Sequence, residues 1–143
     1  MAIIEESVFI KRPVAQVFAY VTDVANLTRW VADMVEAEQT SPGPMGTGTT
    51  FKGANKIVGQ RMPWTSRVTQ YEINKKWGAT STSDSTIIEE IIFFDSADGG
   101  TKLTAKYDIR LGGFLKLVSP FMANSMRSQT IKNLATLKKL LET

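Results

Sequence analysis

Apolar positions recur every second residue in some stretches of the chain and every third or fourth in others, and the switches between these periods divide it into elements. Ser7-Val8-Phe9-Ile10 has strand character and stops at Lys11-Arg12-Pro13, where the fixed φ and missing N–H of proline suit the first turn of a helix. Val14, Val17, Phe18 and Val21 then follow the spacing of a buried helical stripe, and Asp23 is placed to cap a second short helix carrying Asn26, Leu27 and Trp30. Helical signal ends near Met34. From Val35 to Leu111, β-branched and aromatic runs alternate with turn signals at Ser41-Pro42-Gly43-Pro44, Gly59-Gln60, Asn74-Lys75-Lys76, Ser83-Asp84-Ser85 and Asp98-Gly99-Gly100, which predicts a meander of six strands. After Gly112-Gly113 the helical period returns. Ala123, Met126, Thr130, Leu134, Leu137 and Leu141 share one face, with Lys132, Lys138 and Lys139 off its centre, so a single long amphipathic helix closes the chain. Pro120 allows two solutions, because proline inside a helix costs roughly 3 kcal/mol. Either Ser119 caps a fresh helix with Pro120 at its first position, or one helix runs through from about Phe114 with a kink.

The alternation within strands assigns faces. Leu103, Ala105, Tyr107, Ile109 and Leu111 alternate with Lys102, Thr104, Lys106, Asp108 and Arg110, the pattern of a sheet that is wet on one side only. In the strand from Gln60 to Gln70, Met62, Trp64, Ser66 and Val68 take one face, while Arg61 and Arg67 point to solvent from the other. The strand from Thr86 to Phe94 breaks the rule. There Ile87-Ile88 and Ile91-Ile92-Phe93-Phe94 flank Glu89-Glu90, so one glutamate points inward in either register, unless a bulge or a cavity mouth leaves both wet.

Composition removes whole classes of chemistry. With no histidine and no cysteine the chain has no His-based triad, no Cys nucleophile, no disulfide and no zinc site of the usual kind. No metal and no cofactor is implied. A net charge of +3 is too small to imply nucleic acid, and the basic pairs Lys11-Arg12, Lys75-Lys76 and Lys138-Lys139 sit at element ends, where charge is ordinarily solvated. Gly43, Gly46 and Gly48 lack the Lys-Ser/Thr of a phosphate-binding loop and read as turn glycines. The N-terminal residues lack the pattern of a secretory signal, and no apolar run approaches the length of a membrane span, so the sequence reads as that of a cytoplasmic protein. A length of 143 residues without a composition shift fits one domain over 1–143.

Four stretches together resemble the START-related SRPBCC superfamily, within it the polyketide cyclase/dehydrase-like branch. Val8 to Phe18 matches an opening strand followed by a Pro-x-x-x-Val-Phe helix start, and Asp23 with Leu27 and Trp30 matches the second helix. Gly100-Thr101-Lys102-Leu103-Thr104 is similar to the turn entering the last strand, and Leu134-x-x-Leu137-Lys138-x-x-Leu141-Glu142 to the closing helix. The likeness spans nearly the whole chain. It implies an α+β helix-grip fold: a curved antiparallel sheet of about seven strands around a long C-terminal helix, with two short helices after the first strand and an apolar ligand cavity between sheet and helix. Its hairpin, with an aromatic residue seven before the Gly-Thr threonine, places Phe94 inside, and with it Ile92, Glu90 and Ile88. If Phe94 pairs with Leu103, Glu90 stands opposite Tyr107.

A fold of this kind hosts many activities, so function rests on the site. The leading expectation is binding, transport or sequestration of a small hydrophobic ligand such as a lipid or polyketide. Trp30, Phe51, Trp64, Phe94, Phe114, Phe121, Met122 and Met126 are the candidate lining residues, with Trp77 beside them; the alternative is that these side chains fill a core. Arg127 and Gln129 flank the helix's apolar face, where they either meet a ligand head group or snorkel. A second expectation is a polyketide cyclase or dehydratase in which Glu90 is the acid/base group and Tyr107 its partner. A third is an accessory protein that docks peripherally on a membrane or complex through its basic closing helix. The chain is expected to act as a monomer or homodimer without nucleic acid.

Overall fold

The computed structural model describes the backbone of residues 2–113 and 119–143 and the side chains of 3–113 and 123–143. Strand β1 (Ala2–Ile10) is followed by helix α1 (Val14–Thr22), a 3-10 turn (Val24–Asn26) and the single-turn helix α2 (Leu27–Trp30). Six strands come next: β2 (Met34–Gln39), β3 (Thr50–Ile57), β4 (Gln60–Glu72), β5 (Lys76–Ser83), β6 (Thr86–Ala97) and β7 (Gly100–Arg110). Helix α3 (Ser119–Glu142) ends the chain. All seven strands form one antiparallel sheet in the order β1-β7-β6-β5-β4-β3-β2. This is the helix-grip architecture.

Local chemistry explains the element ends. Pro13 stands just outside α1, and its carbonyl accepts from Gln16 N–H and Val17 N–H to start the helix. The Asp23 carboxylate accepts from Ala25 N–H at 3.0 Å and caps the turn that leads into α2. Three hairpins turn on two residues of positive φ, Val58-Gly59, Asp84-Ser85 and Asp98-Gly99, the geometry whose twist matches that of the flanking strands. Whether α3 restarts or kinks near Pro120 lies outside the described residues.

The two halves of α3 do different work. Leu134, Leu137 and Leu141 are buried and pack with Ile10, Val17, Phe18, Phe94 and Leu103 in the main core. Phe18 meets Phe94 edge-on at 4.9 Å and Tyr71 at 5.5 Å, which fills the interior beneath α1. The C-terminal end of α3 is tied down by Glu142, which accepts from Lys11 N–H at 2.7 Å and from Lys138 Nζ at 2.8 Å; Lys138 also donates to the Phe9 carbonyl at 2.6 Å. The Lys138 hydrogen bond, then the Lys11 amide, hold the Glu142 carboxyl below the usual carboxylate range. Toward its N-terminal end the same face changes character. Met126 is half-buried and Ala123 is exposed, which corrects the expectation that Ala123 packs into the sheet. There the helix spans a cavity instead of a filled core, and helical period alone does not say how far packing extends beneath a face.

Close backbone approach shapes the sheet wall at Gly53. A Cβ there would collide with the Glu36 carbonyl and the Trp64 ring. Gly53→Ala is therefore expected to spread β2 from β3 and cost about 1–3 kcal/mol, read as a lowered urea midpoint. An unchanged midpoint would show that the strands can part freely.

Candidate functional site

Between the concave face of the sheet and the first described turns of α3 lies a cavity of about 460 Å3. This is within the roughly 300–1,000 Å3 typical of small-molecule sites. The strands build it through their inward parity: Phe51 and Asn55 from β3, Met62 and Trp64 from β4, Trp77 and Ser81 from β5, Ile88, Glu90 and Ile92 from β6, Tyr107 and Ile109 from β7, and Ile4 from β1. Leu27 and Trp30 close one side, and Met126, Gln129, Thr130 and Asn133 of α3 form the roof. Asp33, Lys56 and Val58 are exposed and mark the rim. A second hollow of about 570 Å3 between Glu36, Arg61, Thr65 and Asp84 is larger but shallow and open, and an ion pair of 2.8 Å joins Arg61 to Glu36 across its edge. It lacks the enclosed apolar wall of the inner cavity.

The aromatic wall is ordered by ring contacts. Phe51 packs edge-on against Trp64 at 5.6 Å and tilted against Trp77 at 5.9 Å. The Trp64 indole donates to Asn55 Oδ1 at 2.7 Å, which fixes its ring. The indole N–H groups of Trp30 and Trp77 are buried with no acceptor among the described residues. Such a donor costs about 1–3 kcal/mol when left unpaired. On α3, Gln129 donates to Asn133 Oδ1, which also accepts from Ala32 N–H, so this pair fastens the roof to the chain after α2.

Glu90 is the inward glutamate and Glu89 is exposed. The ladder pairs Phe94 with Leu103 and Glu90 with Tyr107, and on its other side Glu90 faces Ala79, whose small side chain leaves room. Glu90 keeps partial accessibility through the cavity but is otherwise deep in protein. Desolvation raises its pKa to about 7. Burial raises the Tyr107 phenol as well, with the Glu90 charge adding to the effect, so the phenol stays protonated throughout the ordinary pH range. Among the described residues no hydrogen bond joins the two groups; the phenol senses the Glu90 charge, whereas the Glu90 shift comes from desolvation.

Trp30, Phe51, Trp64, Glu90, Tyr107 and Met126 all border the cavity. Phe94 corrects the expected lining. It is inward and 3% exposed, but α1 covers its end of the sheet and Phe18 takes its ring, so it belongs to the core. Phe114 and the side chains of Phe121 and Met122 lie outside the described residues. Gln129 reaches the cavity, whereas Arg127 is 3.8 Å from Glu6 of β1 and serves that pair. Asn55, Ser81 and Asn133 are lining residues that the sequence reading misses. The inward parity of Asn55 with Phe51, and of Ser81 with Trp77, carries the signal for the first two.

The model of the family described as "Polyketide cyclase / dehydrase and lipid transport" matches residues 1–142. Among solved structures, a protein from Thermus thermophilus is similar with a TM-score of 0.81 at 15% identity, over 96% of this chain and 94% of that one. The Zhui aromatase/cyclase from a Streptomyces species gives 0.77 at 14% identity, over 98% and 93%. Ara h 8.0201 gives 0.71 at 15% identity, over 97% and 96%. At such identities the likeness is one of fold. The search of curated protein sequences found no match.

Proposed function

Because the chain belongs to the polyketide cyclase/dehydrase and lipid transport family, we propose that it binds a small hydrophobic molecule in the cavity between sheet and helix. The observation that carries this reading is the 460 Å3 of unfilled space against an aromatic wall, with one carboxyl group set into it. Burial of the ligand's apolar surface supplies affinity at about 25 cal/mol per Å2, and the few polar groups set orientation. Glu90 and Tyr107 are the central polar pair.

The lipid or polyketide is cargo in this reading. A cyclase or dehydratase is the second reading, favoured by one observation: a carboxyl group with a pKa of about 7 on a cavity wall is poised to give or take a proton near neutrality. The similar Streptomyces protein is itself described as an aromatase/cyclase. Docking through the closing helix is less favoured, since Leu134, Leu137 and Leu141 already face the core.

Titration of a polarity-sensitive naphthalene sulfonamide probe tests the binding reading. The probe should gain fluorescence with the protein and lose it to an apolar competitor such as a sterol. Trp64→Ala, which removes a wall residue and frees Asn55, is expected to weaken probe binding about tenfold, the effect of losing roughly 1.4 kcal/mol of contact. Absence of probe binding at protein concentrations up to about 1 mM, where affinity would amount to only about 4 kcal/mol, would defeat the binding reading.

A further inference from the structure

We infer that the cavity selects its ligands by charge, accepting apolar molecules with an uncharged oxygen-bearing head and rejecting anionic ones, with Glu90 as the selecting residue. This rests on the binding reading above and narrows its substrate class from hydrophobic molecules in general to neutral ones.

The inference comes from where charge is placed on the lining. Among the described residues only Asp33, Lys56 and Glu90 of the wall carry ionisable acid or base groups, apart from the Tyr107 phenol. Asp33 and Lys56 are exposed, of opposite sign and at the rim, so they leave no net field at depth and stay solvated. Glu90 is different. It stands midway along β6 with Tyr107 on one side and Ala79 on the other, and the roof above the cavity presents Met126, Gln129, Thr130 and Asn133, none of them charged. Arg127 of the same helix is engaged with Glu6 on the β1 side. No basic side chain of the described lining therefore answers a ligand carboxylate inside the cavity.

An anionic head seated at this depth would meet the Glu90 carboxylate in a medium of low effective dielectric, where like charges several ångströms apart repel far more than in water. A hydroxyl or carbonyl meets no such penalty. A hydroxyl can donate to Glu90, and either group can accept from the Tyr107 phenol. Discrimination therefore falls to Glu90. Its pKa of about 7 makes the discrimination switchable: above neutrality the carboxylate repels an anion, and below it the protonated acid can donate to one.

The test uses two fluorescent probes of one shape, 1-pyrenemethanol and 1-pyrenesulfonate, the second anionic at every pH used. Their dissociation constants are measured on the full chain at pH 5.5 and pH 8.5, for wild type and Glu90→Gln. Desolvation disfavours any anion in an apolar cavity, but that penalty is common to both variants and both pH values. The diagnostic quantity is the change in the alcohol-to-sulfonate preference. In wild type the preference should grow roughly tenfold or more between pH 5.5 and 8.5, and in Glu90→Gln it should not change with pH. A wild-type preference that is constant with pH, or a pH dependence that survives in Glu90→Gln, would overturn charge selection while leaving ligand binding in place. Failure of both probes to bind would overturn the binding reading and charge selection together.

Discussion

Glu90→Gln is expected to be more stable than the wild type at pH 9, with less than about 1 kcal/mol of that difference present at pH 5. In the folded protein the Glu90 carboxyl has a pKa of about 7, against an ordinary value of 4.5. Between those values the native state holds a proton that the unfolded chain has released, so stability falls as pH rises through this window. Above pH 7 the penalty is constant. Its size is about 2–3 kcal/mol, the lower part of the range allowing for the accessibility that the cavity gives the carboxyl. Glutamine keeps the volume and polarity but cannot ionise, so the variant lacks the decline. Tyr107 does not confuse the comparison, because its phenol remains protonated at pH 9. Urea unfolding of both proteins at pH 5, 7 and 9 provides the measurement. Parallel stability profiles would mean that Glu90 is hydrated in the folded protein and is no candidate for acid/base or selective chemistry.

The same residue shows what strand parity can convey. Alternation along β6 and β7 requires one of Glu89 and Glu90 to point inward, and the family hairpin chooses Glu90 and pairs it with Tyr107; the register agrees at both Phe94–Leu103 and Glu90–Tyr107. Parity does not separate filled from empty space. Trp64 and Phe94 are both inward aromatics on long strands, yet α1 places Phe18 against Phe94, whereas the ring of Trp64 borders the cavity. That difference depends on where a helix crosses the sheet, which is a property of tertiary packing. Ala123 teaches the same lesson from the helix side, since its period is right but the core ends before it. The polar lining is harder to recognise because Asn55, Ser81 and Asn133 are ordinary polar residues until the fold brings them to one wall. The lack of a basic side chain beside Glu90 among the described lining residues is likewise a fact of assembly: in sequence Arg127 looks available to a ligand, and the structure gives it to Glu6.

Leu137→Ala is expected to cost about 2–5 kcal/mol, as large-to-small changes at closely packed sites do. Leu137 has no exposed surface and lies in the main core cluster with Ile10, Val17, Phe18 and Leu103. The cavity beneath the first described turns of α3 makes this anchor more important, because the described side chains there, such as exposed Ala123 and half-buried Met126, pack less than the leucine face. Leu140, three residues further on, is 41% exposed and provides a matched control: Leu140→Ala should change stability by under about 0.5 kcal/mol. The pair also separates the grip from the ligand site. Leu137 is not itself among the described lining residues, so ligand added in excess should recover part of the stability lost in Leu137→Ala by mass action, by about 2.7 kcal/mol at a hundred times the dissociation constant. Equal, small losses for the two leucine variants would show that α3 is not held by its Leu134, Leu137 and Leu141 face, and the cavity would then lose the roof on which both ligand binding and charge selection depend.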